Sequence, residues 1–126
     1  MSRQTVFVVD DNLRLLRAVR NFLWDSGLHV ETFGSAREYL DAYAPEKSGC
    51  LVLDLMMPEM SGVELLKTLR ARGCKLPVLV VSAQISIGDA VKAMKLGPLE
   101  FLEKPTPPTL LLARIREALK RSISDG

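Results

Sequence analysis

Five short apolar runs, each ending at or beside a polar residue, divide the chain at regular intervals. They span Thr5 to Val9, His29 to Phe33, Cys50 to Leu53, Pro77 to Val81 and Glu100 to Glu103. Three are nearly continuous in apolar character, as strands covered on both faces require. The stretches between them carry helix punctuation. Ser35-x-x-Glu38 and Ser61-x-x-Glu64 match the capping box, in which each side chain satisfies a free backbone N–H at a helix start. Gly27, Gly73 and Gly97 stand where a left-handed residue closes a helix, and Thr106-Pro107 offers a cap followed by proline at the first helical position. The last helix is predicted over about Pro107 to Ser122. Five β-α units result, and strands alternating with helices predict a parallel sheet with helices on both faces. The reading is one α/β domain over residues 1–122, with 123–126 a polar C-terminal tail or the start of a linker. There is no internal repeat and no low-complexity tract.

Composition narrows the function classes. At 126 residues and 48% hydrophobic content the chain fits one domain with a real core. A net charge of +2 creates no strong field, so neither nucleic-acid nor membrane binding is indicated. The apolar stretches fall short of the roughly 18 residues of a spanning helix, and the N-terminus lacks a signal-peptide core, which reads as a soluble, cytoplasmic protein. Cys50 and Cys74 are isolated, without CxxC or histidine partners, and read as structural thiols. His29 reads as a surface residue at a strand start.

The chemistry lies where the runs end: Asp10-Asp11 after VFVV, Asp54 after CLVL, Ser82 after PVLVV and Lys104 after EFLE. In open α/β sheets ligands sit beyond the carboxyl ends of the strands, so parallel strands bring these sites to one rim. Singly, each has an ordinary reading: the adjacent acids as a helix N-terminal cap, the lysine and serine as surface residues. Together they form a carboxylate cluster with a hydroxyl and an ammonium. Three converging carboxylates need a cation to stay ionised, and oxygen-only ligands suit Mg²⁺.

The segments VVDDN, LVLDLMMPEMSGVELL, VLVVSAQ and FLEKP together resemble the CheY-like receiver domain of bacterial two-component response regulators, over essentially the whole chain. MPEMSGVELL, AVKAMKLG and FLEKP are most similar to the FixJ-like subgroup. The resemblance implies a flavodoxin-like (βα)5 three-layer sandwich with strand order 2-1-3-4-5. It implies Asp54 as phospho-acceptor from a sensor histidine kinase, Asp11 as a direct Mg²⁺ ligand, Asp10 acting mainly through water, and Met56 supplying a backbone carbonyl. Ser82 and Lys104 would hold phosphoryl oxygens, and small Ala83 would leave room for them. Such a domain is no enzyme beyond its own phosphotransfer and dephosphorylation; Met56 and Gln84 would border the approach of hydrolytic water. Phe101 stands at an aromatic switch position, its other reading being a core aromatic. The face of the fourth helix, fifth strand and fifth helix would then form a homodimer when phosphorylated. The resemblance implies a receiver either cut from a C-terminal DNA-binding output domain or naturally without one, and this domain itself would touch no nucleic acid. Lys104-Pro105 is implied to be cis.

Some positions depart from the pattern. Pro98 stands where a small residue usually follows the glycine, Thr106 replaces a common aromatic, and Ser82 replaces the frequent threonine. Gly88 in QISIGD is expected to loosen the fourth helix. On the first helix, Leu15, Val19, Phe22 and Leu23 are predicted inward; Leu13, Arg17, Arg20 and Trp24 form an outer stripe with Leu16 at its edge. That stripe is either a kinase-docking surface or a solvated arginine face with Trp24 folded onto the domain. The other function class is a phosphorylation-independent interaction domain on the same fold, supported only by Pro98 and QISIGD. A flavin binder is disfavoured, because the carboxylates would repel a flavin phosphate and no phosphate-cradling loop follows the first strand.

Overall fold

A computed structural model describes residues 4–125 of the chain, with side chains to residue 122. Five strands alternate with five helices: β1 (Gln4–Val9), α1 (Leu13–Asp25), β2 (Val30–Phe33), α2 (Ala36–Ala42), β3 (Ser48–Leu53), α3 (Gly62–Ala71), β4 (Val78–Ser82), α4 (Ile87–Met94), β5 (Glu100–Glu103) and α5 (Pro108–Asp125). All strand pairs are parallel, and the sheet order is β2-β1-β3-β4-β5. The alternation of runs and capped helices predicted the parallel sheet, and the flavodoxin-like order 2-1-3-4-5 is the one the receiver resemblance implied.

Side chains alternate across the pleat, so each central strand feeds two cores. Phe7, Val9, Leu51, Leu53, Val78 and Val80 join Tyr39, Leu65, Leu66 and Leu69 on one side. Val6, Val8, Val52, Leu79 and Val81 join Leu16, Leu23, Leu111 and Ile115 on the other. Both cysteines are free and buried, and burial pushes the Cys50 thiol up to about 12.

Local chemistry sets the helix ends. Ser35 and Ser61 accept from the N–H groups of Glu38 and Glu64, as the capping boxes predict. Gly27, Gly73 and Gly97 all take positive φ. The start of α5 differs from expectation by one residue: Pro108, not Pro107, opens the helix, because Thr106 turns its hydroxyl back to the Glu103 carbonyl at 2.9 Å instead of capping. The helix also runs on to Asp125, past the expected end at Ser122. The parts of the boundary expectation that fall on residues 1–3 and 126 lie outside the described residues.

Gly88 lies in the first turn of the fourth helix, which begins at Ile87. Ser86 caps it, accepting from Asp89 N–H at 3.0 Å. Pro98 stands two residues before β5, and the Leu99 N–H just ahead of the strand donates to Val78 O at 2.8 Å, so the missing proline donor falls outside the ladder. Leu16, placed at the edge of the outer stripe, is buried, because α1 packs against both β2 and α5 and so covers a wider arc. Leu13 and Trp24 are exposed as expected, the Trp24 ring lying tilted on half-buried His29 with centroids 5.7 Å apart.

Candidate functional site

Three of the strand-end residues remain in the sheet ladder one step beyond their strands. The N–H groups of Asp10, Asp54 and Lys104 donate to Phe33 O (3.1 Å), Val9 O (3.1 Å) and Ser82 O (3.0 Å). Their backbones are therefore fixed by the neighbouring strand, and their side chains converge at the carboxyl edge. Asp54 Oδ1 accepts from the Ser82 hydroxyl at 2.9 Å and from the Met56 N–H at 3.0 Å. Asp54 Oδ2 accepts from Lys104 Nζ at 3.0 Å, and the same ammonium donates to Asp10 Oδ2. Asp10 Oδ1 takes the Asn12 N–H at 2.9 Å, while the Asn12 side chain caps α1 through Leu15 N–H. The acid pair therefore does not cap the helix; the asparagine after it does.

Asp10, Asp54 and Ser82 are buried, Asp11 and Ala83 are exposed, and Met56 is 54% exposed. Burial raises the Asp10 carboxyl above its ordinary value, against the opposing bond and charge of Lys104 and the Asn12 N–H. Burial alone would lower the Lys104 ammonium, but its bonds to Asp10 and Asp54 outweigh this and hold it above its ordinary value. Asp10, Asp11 and Asp54 each bring a carboxylate oxygen within 4.8 Å of the others. An all-oxygen set with no histidine or thiolate fits a hard cation, so the cluster can hold a metal ion.

Lys104-Pro105 is cis. Phe101 is half-buried against the core that includes Val80 and Ala93. It lines an open cavity of about 490 Å³ together with Ser82, Ala83, Gln84 and Ile85.

A family model described as the response regulator receiver domain matches residues 6–116. The chain belongs to this family. It is 42% identical to the transcriptional regulatory protein FixJ of Azorhizobium caulinodans over 121 residues, which is 96% of this chain and 57% of that protein. It is 38% identical to the response regulator protein TodT of Pseudomonas putida over 115 residues, 91% of this chain and 51% of that one. This receiver domain thus spans about half the length of the curated relatives it matches. Among solved structures it superposes on FixJ-N with a TM-score of 0.83 at 37% identity, covering 95% of this chain and 96% of that one. The response regulator StyR gives 0.92 at 41% identity, over 98% of this chain and 63% of that one.

All the strand-end residues singled out in the sequence come together at this edge. The sequence did not point to Gly62. A Cβ there would lie 2.2 Å from Asp54 O and 2.6 Å from Leu55 Cα, so the helix after the site rests directly on the backbone that carries Asp54. The requirement comes from two segments meeting in space; the only local trace is that Gly62 follows the Ser61 cap.

Proposed function

We propose that this receiver domain accepts a phosphoryl group on Asp54 from a phosphohistidine of a sensor histidine kinase, with Mg²⁺, in the cytoplasm. The observation that carries the reading is the double hold on one buried carboxylate: Ser82 on Oδ1 and Lys104 on Oδ2. The Asp54 carboxylate forms the new O–P bond as the P–N bond to the donor imidazole breaks, the bonding pair leaving with that nitrogen. Lys104 is placed to meet charge on one phosphoryl oxygen and Ser82 to donate to another; Ala83 adds no bulk beside them. The carboxylates of Asp10, Asp11 and Asp54 with the Met56 carbonyl would hold Mg²⁺, Asp10 mainly through water. Its chemistry there is to neutralise the oxygens that crowd together during transfer.

Water would later attack phosphorus and release Asp54, the domain catalysing only its own phosphorylation and dephosphorylation. Met56 and Gln84, both exposed, would border that approach. Ser82 and Phe101 share one cavity. A shift of Ser82 toward the phosphoryl group would open space for Phe101 to turn inward, a population shift driven by differential contacts. The α4-β5-α5 face carries exposed Ile87, Val91, Met94 and Leu99, and its pairing about a twofold axis in the phosphorylated state is the simplest closed arrangement. Residues 1–122 would form the receiver and 123–126 lead into a linker to a DNA-binding output domain. The exposed Leu13, Arg17, Arg20 and Trp24 of α1 are the proposed kinase-docking stripe.

Intact-mass measurement after incubation with acetyl phosphate and Mg²⁺ should show one added phosphoryl group, absent with EDTA and absent in Asp54→Asn. Equal modification of that variant would reject the assignment. Light scattering with beryllofluoride should show a dimer that Phe101→Ala weakens. An unchanged mass with Asp54 occupied would reject the pairing.

A further inference from the structure

The core between the sheet and α1 and α5 is filled at its lower end by Leu23, Leu79, Ile115 and Leu119, all buried. Toward its upper end the residues are β-branched, with Val8 beside Val52 in register and Val81 on β4 two residues after Leu79, the partner of Val52. Facing them are half-buried Leu15 and Val19 of α1 and buried Leu111 of α5. These side chains leave a cavity of about 390 Å³. That volume and apolar lining match small-molecule sites, which lie at about 300–1,000 Å³ with a few polar groups at one end. The polar end here consists of Asp10, Asn12, Asp54, Lys104 and Thr106. Thr106 is small and its hydroxyl is spent on Glu103 O, so nothing bulky closes the mouth.

The charge at that mouth selects the occupant. Asp10 and Asp54 share one ammonium, Lys104, and Asp11 adds a third carboxylate within 4.8 Å of both. An anionic headgroup would meet this surplus, and a neutral one would leave it uncompensated. We propose that the cavity binds a small amphipathic cation, with an aromatic or branched apolar body between α1, α5 and the sheet and a primary ammonium at the Asp10 and Asp54 carboxylates. Such a ligand occupies the cation position of the acidic cluster and so opposes phosphorylation. This consequence rests on the function proposed for Asp54; the binding itself does not.

The probes are tryptamine, indole and indole-3-acetate, which share one body and differ in headgroup charge. Methyl NMR should show saturable shifts of Leu15, Val19, Val52, Val81 and Leu111, with tryptamine about tenfold tighter than indole, as one charge-assisted contact allows, and indole-3-acetate weakest. Tryptamine should raise the Mg²⁺ concentration needed for half-maximal modification of Asp54. Val19→Phe fills the cavity from α1 and should abolish the shifts while keeping the modification; Thr106→Phe, which closes the mouth from the other side, replaces it if the first variant fails to fold. Absent or non-saturable shifts, an affinity order independent of headgroup charge, or undiminished binding in the filled variant would overturn the proposal. Loss of Asp54 modification in the unliganded protein would instead reject the function proposed above and leave the binding result standing.

Discussion

Replacing Gly62 by alanine tests whether the site is held by backbone contact from below as well as by its side-chain bonds. The added Cβ would lie 2.2 Å from Asp54 O, about 0.8 Å inside the 3.0 Å that such contacts keep, and all three obstructing atoms, Asp54 O, Leu55 Cα and Asp54 C, are backbone. No rotamer relieves the clash. Either α3 moves away or the strand end carrying Asp54 does. The Gly62 N–H also donates to Leu55 O at 3.0 Å, and any separation stretches that bond. Overpacking of this kind costs about 1–3 kcal/mol and the weakened hydrogen bond about 1 kcal/mol. The helix preference of alanine over glycine returns up to about 1 kcal/mol. The net expectation is destabilisation of about 2 kcal/mol, which at a urea dependence of about 1–3 kcal/mol per molar lowers the unfolding midpoint by roughly 1 M.

The consequence for the proposed phosphorylation is separate from the stability loss. Asp54 is held by Ser82 at 2.9 Å and Lys104 at 3.0 Å, and a displacement near 1 Å breaks such an alignment, with losses of about 100-fold on record for misplacements of this size. Gly62→Ala should therefore phosphorylate at least about tenfold more slowly under conditions where it remains folded. Gly88→Ala is the control: its Cβ meets only Ser86 Oγ at 4.0 Å, its φ is not positive, and it should stabilise the protein by about 0.5–1 kcal/mol without changing the rate. A Gly62→Ala protein within about 0.5 kcal/mol of the parent, the scatter expected of surface changes, or one with an unchanged rate, would refute the reasoning.

Two further outcomes are expected. Because burial dominates the raised pKa of Asp10, its ionisation opposes folding, so stability falls as pH rises from 3.8 through the folded value; Asp10→Asn, without divalent cations, should be more stable than the parent at pH 7 and lose that advantage below pH 3.8, as urea titrations at both pH values would show. A less stable variant at pH 7 would mean that pairing with Lys104 outweighs burial. Arg70 donates to Leu96 O at the end of α4 and to Cys74 O and Leu76 O before β4, so Arg70→Met should cost about 1–3 kcal/mol and speed hydrogen exchange over residues 94–99 and 74–77 together; unaltered exchange there would show that the helix is anchored otherwise.

Parallel topology explains why so much of the site was readable from the chain. A parallel strand can end only on the same edge as its neighbours, so a polar residue closing each apolar run locates the rim without any knowledge of side-chain geometry. Asp10, Asp54, Ser82 and Lys104 were found this way, and the capping boxes at Ser35 and Ser61 fixed the helices that return the chain. What was missed depends on distance in space or on near-equivalent local choices. Pro107 and Pro108 can each begin a helix, and only the turn of Thr106 toward Glu103 selects the second. Ser86-x-x-Asp89 caps as Ser-x-x-Glu does, at a helix start where the sequence reading weighed only the glycine two residues later. Projection at 100° per residue put Leu16 at the edge of an outer stripe because it treats the helix as facing one surface, whereas α1 faces both β2 and α5.

The glycines make the same point more sharply. Gly27, Gly73 and Gly97 were legible because a helix must end and a positive φ ends it. Gly49 was not, although a Cβ there would lie 1.8 Å from Thr5 O, because nothing in the sequence around it records how closely β1 passes. Gly62 combines the two cases. It follows a recognisable cap, yet what it is needed for is contact with the backbone of Asp54, one helix start resting on one strand end. On a flexible loop Asp54, the proposed phosphoacceptor, would lose its fixed separation from Ser82 and Lys104. The ladder bond from Asp54 N–H to Val9 O holds it from the side, and the close approach of Gly62 holds it from below. The polar cluster supplies the chemistry, and these two backbone constraints supply the position, which is why a change as small as one methyl group at residue 62 should be felt at residue 54.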